Sequence, residues 1–159
     1  MRFKLAASLG ALALAAMLAR ISSADGGTCL AVLSGTPPQR LVCVPVAAGE
    51  EFELEFENSI YRALVRERFI YEPGLGIVLV RVESPSSGVF EYYGLAPGAG
   101  GNGSGSLALR RVIGELRILS HDYSRHVVRI GGRSISLKGL VPDGAPAVIR
   151  VDTSGGSGP

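Results

Sequence analysis

The amino-acid sequence predicts an all-β protein: a single-domain antiparallel β-sandwich or barrel, preceded by an N-terminal signal or anchor segment. The 159 residues are enough for one domain with a hydrophobic core and too few for two comfortable ones. Beyond the first 24 residues, short runs rich in Val, Ile, Leu, Phe and Tyr alternate with Gly, Pro, Asn and Ser. No segment there has helical periodicity, so the pattern favours many short antiparallel strands.

Residues 1–24 form the predicted signal peptide or membrane anchor. Arg2 and Lys4 give it a positive start, residues 5–19 are uncharged and mostly apolar, and Ser22-Ser23-Ala24 fits a signal-peptidase site. The apolar stretch is shorter than the roughly 20 residues of a membrane span, which favours export, with an uncleaved anchor as the alternative. We therefore expect an extracytoplasmic domain, secreted or tethered to the outer face of the cytoplasmic membrane, that touches the membrane only through this segment.

The net charge argues against a nucleic-acid partner. Without Arg2, Lys4 and Arg20 of the leader, the 16 basic residues fall to 13, against 14 acidic residues. The remaining domain is then close to neutral, and no basic surface is predicted that would attract a phosphate backbone.

The domain is predicted to span residues 25–152, with a flexible tail at 153–159. A loop at 94–106, rich in Gly and Ser, is expected to be mobile. Its Gly98-x-Gly100-x-x-Gly103 pattern lacks the strand and helix that a dinucleotide site needs, so no cofactor is expected. The predicted strands are 28–34, 40–46, 51–57, 62–71, 76–83, 88–93, 107–113, 115–119, 126–130, 133–137 and 147–152.

Cys29 and Cys43 lie on the first two predicted strands. If that hairpin is symmetric about residue 36, the two cysteines are directly opposite, at a separation that a disulfide spans with suitable local geometry. An exported chain makes a disulfide plausible. Two small buried thiols are the alternative.

The segment 51–57 places a glutamate at every second position, and the arginines follow in 62–69. With residues 58–61 as the loop, paired residues sum to 119, so that Glu57 faces Arg62, Glu53 faces Arg66 and Glu51 faces Arg68. Such cross-strand pairs contribute about 0.2–1 kcal/mol each. We therefore interpret these charges as the solvated face of a sheet.

Glu67 is the exception in this hairpin, because the same register turns it toward the apolar face, opposite Phe52. A carboxylate among apolar side chains must be paired or hydrogen-bonded, or its pKa rises. A structural ion pair and a binding site are both open for it.

Gly131-Gly132 predicts the turn of a second hairpin, which pairs Ile130 with Arg133 and His126 with Leu137. Arg133 and His126 then share the more apolar face, and either could meet Glu67.

No metal site and no catalytic triad are predicted. The spacing of His121, Asp122 and His126 matches no metal-site pattern. The available serines lack a nucleophile elbow, so a small hydrolase is only a third possibility.

Asn58-Ser59-Ile60, followed by Leu64-Val65-x-Glu67-x-Phe69, resembles a motif of the domain-of-unknown-function family 1850. In that family the stretch usually reads His-Ser-Val, three variable residues and Pro-Val-x-Glu-x-Phe. Here Asn58 replaces the usual His and Leu64 the usual Pro, whereas Ser59, Val65, Glu67 and Phe69 match.

The resemblance extends along the rest of the domain. Near its start, Cys29-Leu30, Pro45 and Gly49-Glu50-x-Phe52 fit the family, and 126–141 fits its terminal strand pair. The middle departs from the pattern: where the family has Ser-Phe-Gly-Ala-Gly-Leu, this chain has a different loop, in which Ser84 or Gly88 corresponds.

Members of this family are small exported proteins, often encoded beside tripartite ATP-independent transporters of the TAXI type. The resemblance implies a non-enzymatic accessory or binding domain for uptake of small organic solutes, with the permease or the solute-binding protein as partner. Alternatively, the domain is a structural envelope or protein-interaction module without a small-molecule ligand. The predicted binding residues, which would line one polar pocket, are Asn58, Ser59 and Glu67, with Ser84 and Gly88 as a second segment.

Overall fold

The computed structural model describes residues 27–94 and 105–153. The predicted leader at 1–24, the Gly98 to Gly103 pattern and residues 154–159 of the predicted tail lie outside the described residues. Within the described ranges, no helix is long and apolar enough to span a membrane.

The chain folds into two antiparallel sheets, as the sequence predicts. The four-stranded sheet contains, in spatial order, β2 (Gln39–Pro45), β1 (Cys29–Ser34), β10 (Pro146–Asp152) and β7 (Leu116–Leu119). The six-stranded sheet contains β6 (Gly105–Gly114), β5 (Gly76–Ser84), β4 (Ala63–Glu72), β3 (Glu51–Asn58), β8 (Val127–Ile130) and β9 (Arg133–Ser136). Within the described residues, one short helix, α1 (Ser87–Tyr92), follows β5.

One hydrophobic core lies between the two sheets. Leu30 and Ile149 of the four-stranded sheet and Phe52, Val65 and Phe69 of the six-stranded sheet belong to the same cluster of buried side chains. Each strand turns alternate residues toward this cluster, which is the arrangement of a β-sandwich. The predicted all-β class is thereby confirmed.

The prediction of a strand at 88–93 is wrong, because this segment forms α1. The helix buries Val89 and Phe90 against the core, and these side chains are too few to produce a visible helical period. Pro85 precedes the helix, and Gly94, with φ of +78°, follows it, so both ends carry ordinary helix-boundary residues.

The predicted register of the β3–β4 hairpin is wrong by two residues. The observed pairs sum to 121: Glu53 faces Arg68, Glu55 faces Arg66, and Leu54 faces Glu67. The turn keeps the predicted length of four residues but lies one residue further along the chain, because Asn58 still pairs with Ala63. Arg62 adopts a positive φ of 48° inside this turn. A shift of two residues leaves every side chain on its predicted face, because the side-chain period of a strand is two.

The β8–β9 hairpin has the predicted register. Ile130 faces Arg133 across Gly131-Gly132, whose φ angles of 54° and 74° are those of a type I′ turn. The backbone N–H of Leu137 donates to the carbonyl oxygen of His126, which extends the pairing as expected.

Cys29 and Cys43 form a disulfide with a Cα–Cα distance of 5.6 Å, so the alternative of two free thiols is wrong. The two residues are not directly opposite: Cys29 pairs with Pro45, and Cys43 pairs with Ala31. The bond therefore joins diagonal neighbours on the outer face of β1 and β2. A disulfide is typical of proteins in oxidising, extracytoplasmic compartments.

Tyr123 joins three segments at one corner of the sandwich. Its ring is fully buried, and its hydroxyl lies 2.6 Å from the carbonyl oxygen of Ala145 and 3.0 Å from that of Ile118. The backbone N–H of Ser120 donates to the same hydroxyl at 3.3 Å. These contacts connect the end of β7 to the start of β10.

Candidate functional site

The turn between β3 and β4 is organised by Asn58, the first predicted site residue. Its Oδ1 accepts hydrogen bonds from the backbone N–H groups of Ile60, at 3.0 Å, and Tyr61, at 3.1 Å. A short polar side chain commonly stabilises a turn in this way. Since the amide oxygen is engaged with the backbone, the role shown for Asn58 is to shape the turn.

Tyr61 carries this turn onto α1. Its ring lies against the Cα of Gly88, so that a Cβ placed on Gly88 would overlap the ring and come within 2.8 Å of Cζ. The absence of a side chain at Gly88 therefore lets the ring approach the helix. Asn58 and Gly88, two separate parts of the predicted site, are linked by this single aromatic residue.

Glu67 lies on the inner face of β4, as the sequence predicts, and is partly buried. Its Oε1 accepts a hydrogen bond of 2.5 Å from the hydroxyl of Tyr93, the residue that follows α1. Burial raises the pKa of the carboxyl above its ordinary range, and the hydrogen bond from Tyr93 offsets part of that rise. Burial, and then the nearby Glu67, also raise the pKa of Tyr93.

The expectation that Arg133 or His126 meets Glu67 is wrong. The Arg133 side chain is exposed, and His126 stacks on Phe56 with ring centroids 6.0 Å apart. In the described ranges, no ion pair is formed by Glu67, so its carboxylate is held by a neutral phenol. A short helix with little periodicity supplies that phenol, which is why the sequence did not reveal it.

Arg111 holds the far end of α1. Its Nη2 donates to the carbonyl oxygen of Tyr93 at 3.0 Å, which ties the helix end to β6. The C-terminal end of α1 is therefore bound to β4 through Glu67 and to β6 through Arg111, whereas its beginning contacts the β3–β4 turn.

Ser84 and Ser59 are in different surroundings. Ser84 is buried at the end of β5, and its Oγ accepts a hydrogen bond from the backbone N–H of Ser86 at 3.2 Å, which helps start α1. Ser59 is exposed in the turn. Of the five predicted residues, only Ser84 lines a groove of about 330 Å³ beside β5. The other residues lining that groove are Leu64, Arg66, Glu83, Pro85, Gly105 and Ser106.

Exposed apolar side chains surround the turn and the helix. Ile60 is 72% exposed and Tyr92 70%, and Tyr61 and Leu64 are each 40% exposed. Tyr92 follows Gly88 by four residues, so it lies on the helix face that the Tyr61 ring contacts. We call these four residues, Ile60, Tyr61, Leu64 and Tyr92, the turn–helix surface.

The outer face of the six-stranded sheet carries the charged ladder that the sequence predicts. Glu55 lies between Arg129, at 3.0 Å, and Arg66, at 2.9 Å. Hydrogen bonds from Arg129 and then Arg66 lower the pKa of Glu55. Glu53 likewise contacts Arg68 and Arg129, at 3.4 and 3.3 Å. The interpretation of these charges as a solvated sheet face agrees with their position.

In the part of the chain that the structure describes, no cluster of three or more His, Cys, Asp or Glu side chains could hold a metal ion. His126 has instead a structural setting, because it packs on Phe56 and lies edge-on to Tyr123. Burial lowers the pKa of His126, and the nearby Asp122 opposes part of this shift.

Sequence reasoning missed Tyr61, Tyr93 and the helix that joins them. The available signal was the pair of boundary residues Pro85 and Gly94 around a segment with apolar residues at 89, 90 and 93. These three apolar residues lie on one face of a helix, but they cover only a single turn.

Comparison with known proteins adds no family to this description. No protein-family model, no curated protein and no solved structure matches the chain. The resemblance to the domain-of-unknown-function family 1850 stays a prediction from the sequence motifs.

Proposed function

We propose that this chain is a non-enzymatic, extracytoplasmic accessory or binding domain for TAXI-type solute uptake. In this proposal it contacts the transporter permease or its solute-binding protein through the turn–helix surface. One observation carries the proposal: three of the predicted residues hold the turn and the helix that bear these exposed side chains. Asn58 orders the turn, Gly88 receives the Tyr61 ring, and Glu67 binds Tyr93 at the end of the helix.

The arrangement of these groups favours a contact surface over a catalytic centre. The Asn58 amide oxygen is engaged by the turn backbone, and the Ser84 hydroxyl by Ser86. The Tyr93 hydroxyl donates a hydrogen bond to Glu67. Each of these polar groups thus holds a piece of backbone or helix in place. The large side chains exposed beside them include Ile60, Tyr61 and Tyr92, and tyrosine is a residue type enriched at protein interfaces.

The turn–helix surface lies at the opposite end of the domain from the start of β1, where the predicted leader would attach, and this supports a partner located away from the attachment point. The carbonyl oxygen of Thr28 accepts a hydrogen bond from Val46, and Gly49 donates to Tyr71, so β1 begins beside the beginning of β3. From there β3 runs eight residues to Asn58, about 25 Å in an extended strand. If the leader tethers the domain, the turn–helix surface therefore faces away from the point of attachment.

The disulfide and the predicted leader together support a location outside the cytoplasm. A secreted and a tethered form are both compatible with the proposal, since neither changes the exposed surface.

A double substitution tests the proposal. Ile60→Ser with Tyr92→Ser removes two highly exposed apolar side chains and should leave the melting temperature nearly unchanged. In a host whose native copy is replaced, we expect loss of transporter-dependent solute uptake and of co-purification with the permease or the solute-binding protein.

Leu119→Ser is the matched control, because Leu119 is also 72% exposed but lies on β7 of the other sheet. It should preserve both readouts. The proposal fails if the double variant supports normal uptake, or if the control reduces uptake as much. If the double variant no longer co-purifies with a partner but solute uptake stays normal, the result would favour the alternative, an interaction module unrelated to transport.

A further inference from the structure

β6 is an outer strand of the six-stranded sheet, and part of its free side is not protected against pairing with another chain. Natural edge strands are commonly short, irregular or interrupted by proline, which prevents such pairing. The outer strands β7 and β9 have four residues each, and β2 has a shifted register and ends at Pro45. β6 has ten residues, and within residues 27–94 and 105–153 no strand pairs with its free side.

The first four residues of β6, from Gly105 to Ala108, form the regular part of this edge. They pair with β5 in one unbroken register, from Ser84 with Gly105 to Arg81 with Ala108, whereas register shifts follow further along β6. Every second residue of an antiparallel edge strand directs its N–H and C=O away from the sheet. An added strand would form its hydrogen bonds with these backbone groups.

The side chains of this stretch alternate between two environments. Ser106 and Ala108 are exposed on the outer face of the sheet, whereas Leu107 is partly buried against the core on the inner face. A strand added to β6 follows the same alternation, because cross-strand neighbours share a face. An apolar side chain therefore suits the position beside Leu107, and a polar one suits the positions beside Ser106 and Ala108.

Arg81 supplies a positive charge at this edge that the sheet does not neutralise. It lies opposite Arg68, a like charge, and it forms no ion pair in the described part of the chain. Its Nη1 donates to Ser106 Oγ at 3.0 Å, so the guanidinium reaches across to β6, the outermost strand. β6 itself carries Arg110 and Arg111 and no acidic residue. This charge disfavours a second copy of β6 and favours an acidic partner.

We propose that β6 binds an extended acidic segment of a partner protein, which adds to the sheet as a strand beside Gly105 to Ala108. A glutamate of that segment lies on the outer face and contacts Arg81, and an apolar side chain lies beside Leu107. The main-chain hydrogen bonds supply affinity, and the two faces supply specificity. The partner segment is therefore acidic and apolar at alternate positions.

An NMR titration of the full domain tests this, with the peptide acetyl-Thr-Glu-Val-Glu-Val-Glu-Thr-amide as the probe. We expect saturable shifts and slower hydrogen exchange for the backbone amides from Gly105 to Ala108. The same peptide with Lys in place of Glu should bind at least about threefold more weakly, because it repels Arg81. A peptide N-methylated at its five central residues keeps the side chains but lacks the N–H donors, and it should not saturate.

The proposal is overturned if the acidic peptide gives no saturable shift at these amides, or if the lysine peptide or the N-methylated peptide binds equally well. A second copy of the chain is the competing occupant. If the domain dimerises without peptide, and the same amides shift with protein concentration, the edge belongs to a second copy and the proposal fails.

Arg81→Gln provides the second test. It should weaken binding of the acidic peptide about threefold, the scale of one exposed ion pair. Arg62→Gln is the matched control, since Arg62 is also exposed and forms no ion pair among the described residues, but lies in the β3–β4 turn. Equal weakening by the two substitutions would mean that the peptide responds only to the net charge of the domain, which would overturn the assignment to β6.

This inference does not rest on the proposed transporter partner. The Ile60→Ser, Tyr92→Ser double variant should bind the acidic peptide normally, because both substitutions lie on the turn–helix surface. A failed titration leaves the uptake proposal untouched, and failure of the uptake experiment leaves the β6 edge untouched.

Discussion

The hydroxyl of Tyr93 donates a hydrogen bond of 2.5 Å to the carboxylate of Glu67, and this contact joins the end of α1 to the inner face of β4. Glu67 is the one glutamate of its hairpin that faces the core side, and its pKa is raised because burial disfavours the charged form. The contact therefore stabilises the helix position while the charge itself is unfavourable.

The first prediction concerns Glu67→Gln, which keeps an acceptor for Tyr93 and removes the buried charge. A raised folded-state pKa contributes stability that is complete below the unfolded pKa, near 4.5, and is lost as pH rises through the folded pKa. Glu67→Gln should therefore have a higher melting temperature than the parent at pH 7, with the difference shrinking toward pH 4. Thermal unfolding of both proteins across this range measures it.

Tyr93→Phe is the companion variant. It leaves the carboxylate without its donor and should cost about 1–3 kcal/mol at pH 7. In the Glu67→Gln background the cost should be smaller. A pH-independent difference between the parent and Glu67→Gln would contradict the assignment of an unfavourable buried charge.

The second prediction is that Gly88→Ala moves Tyr61 with little loss of stability. The added Cβ would overlap the Tyr61 ring, but that ring is at the surface and can swing away. Alanine also favours a helix over glycine, so the two effects oppose each other, and stability should change by no more than about 1 kcal/mol. Loss of contacts between the Tyr61 ring and residue 88 in an NMR spectrum measures the movement.

A Tyr61→Ala background separates the two effects, because the ring is then absent. Gly88→Ala should be stabilising there. A large loss of stability in the parent background, with the ring unmoved, would mean that the backbone at residue 88 requires glycine for another reason.

The third prediction concerns the buried hydroxyl of Tyr123. Tyr123→Phe leaves the carbonyl oxygen of Ala145 and the N–H of Ser120 without that partner, at a cost of about 1–3 kcal/mol in the free energy of unfolding. Chemical denaturation measures this value. Tyr92→Phe is the control, because the Tyr92 side chain is 70% exposed, and it should change stability little. Equal effects of the two substitutions would contradict the role given to Tyr123.

The fourth prediction is a loss of stability on mild acidification because of His126. Burial lowers its folded-state pKa, so the unfolded chain binds the proton more readily. The stabilising contribution is present above the unfolded pKa of about 6.5 and is lost as pH falls from there through the folded pKa. Melting temperatures of the parent and of His126→Phe, compared at pH 8 and pH 5, should show the parent losing more.

Phenylalanine at position 126 keeps a ring to stack on Phe56, and it removes Nδ1, which is buried and has no hydrogen-bond partner among the described residues. His121→Gln is the control for removing a histidine in general. If His126→Phe and the parent lose the same stability on acidification, protonation of His126 is not responsible.

Much of the fold could be predicted because it depends on local patterns. The alternation along β3 and β4 assigned Glu53 and Glu55 to the solvated face and Glu67 to the core side, even with the register two residues off. Gly131-Gly132 alone was sufficient to predict the β8–β9 register, since a two-residue turn allows only one register for the strands that it joins. The β3–β4 register could not be predicted, because the position of its four-residue turn depends on the Asn58 side chain, whose Oδ1 accepts from the N–H groups of Ile60 and Tyr61.

The site was predicted only in its separate pieces. Asn58 and Gly88 came from the motif resemblance, and Glu67 came from both the strand alternation and that resemblance. The residues that connect them, Tyr61 and Tyr93, have no pattern of their own. Their roles require α1 to reach both the β3–β4 turn and Glu67 in the middle of β4. A single turn of helix carries too little periodic signal to predict this position.

By itself, the sequence determined the all-β class, most of the strands and which face each side chain occupies, because these follow from alternation along neighbouring residues. Only the tertiary structure decided the order of the strands, the diagonal Cys29–Cys43 bond and the partner of Glu67. These depend on contacts between residues far apart in the chain, such as β1 with β10 and β4 with α1, whose energies arise only when both segments are packed in place.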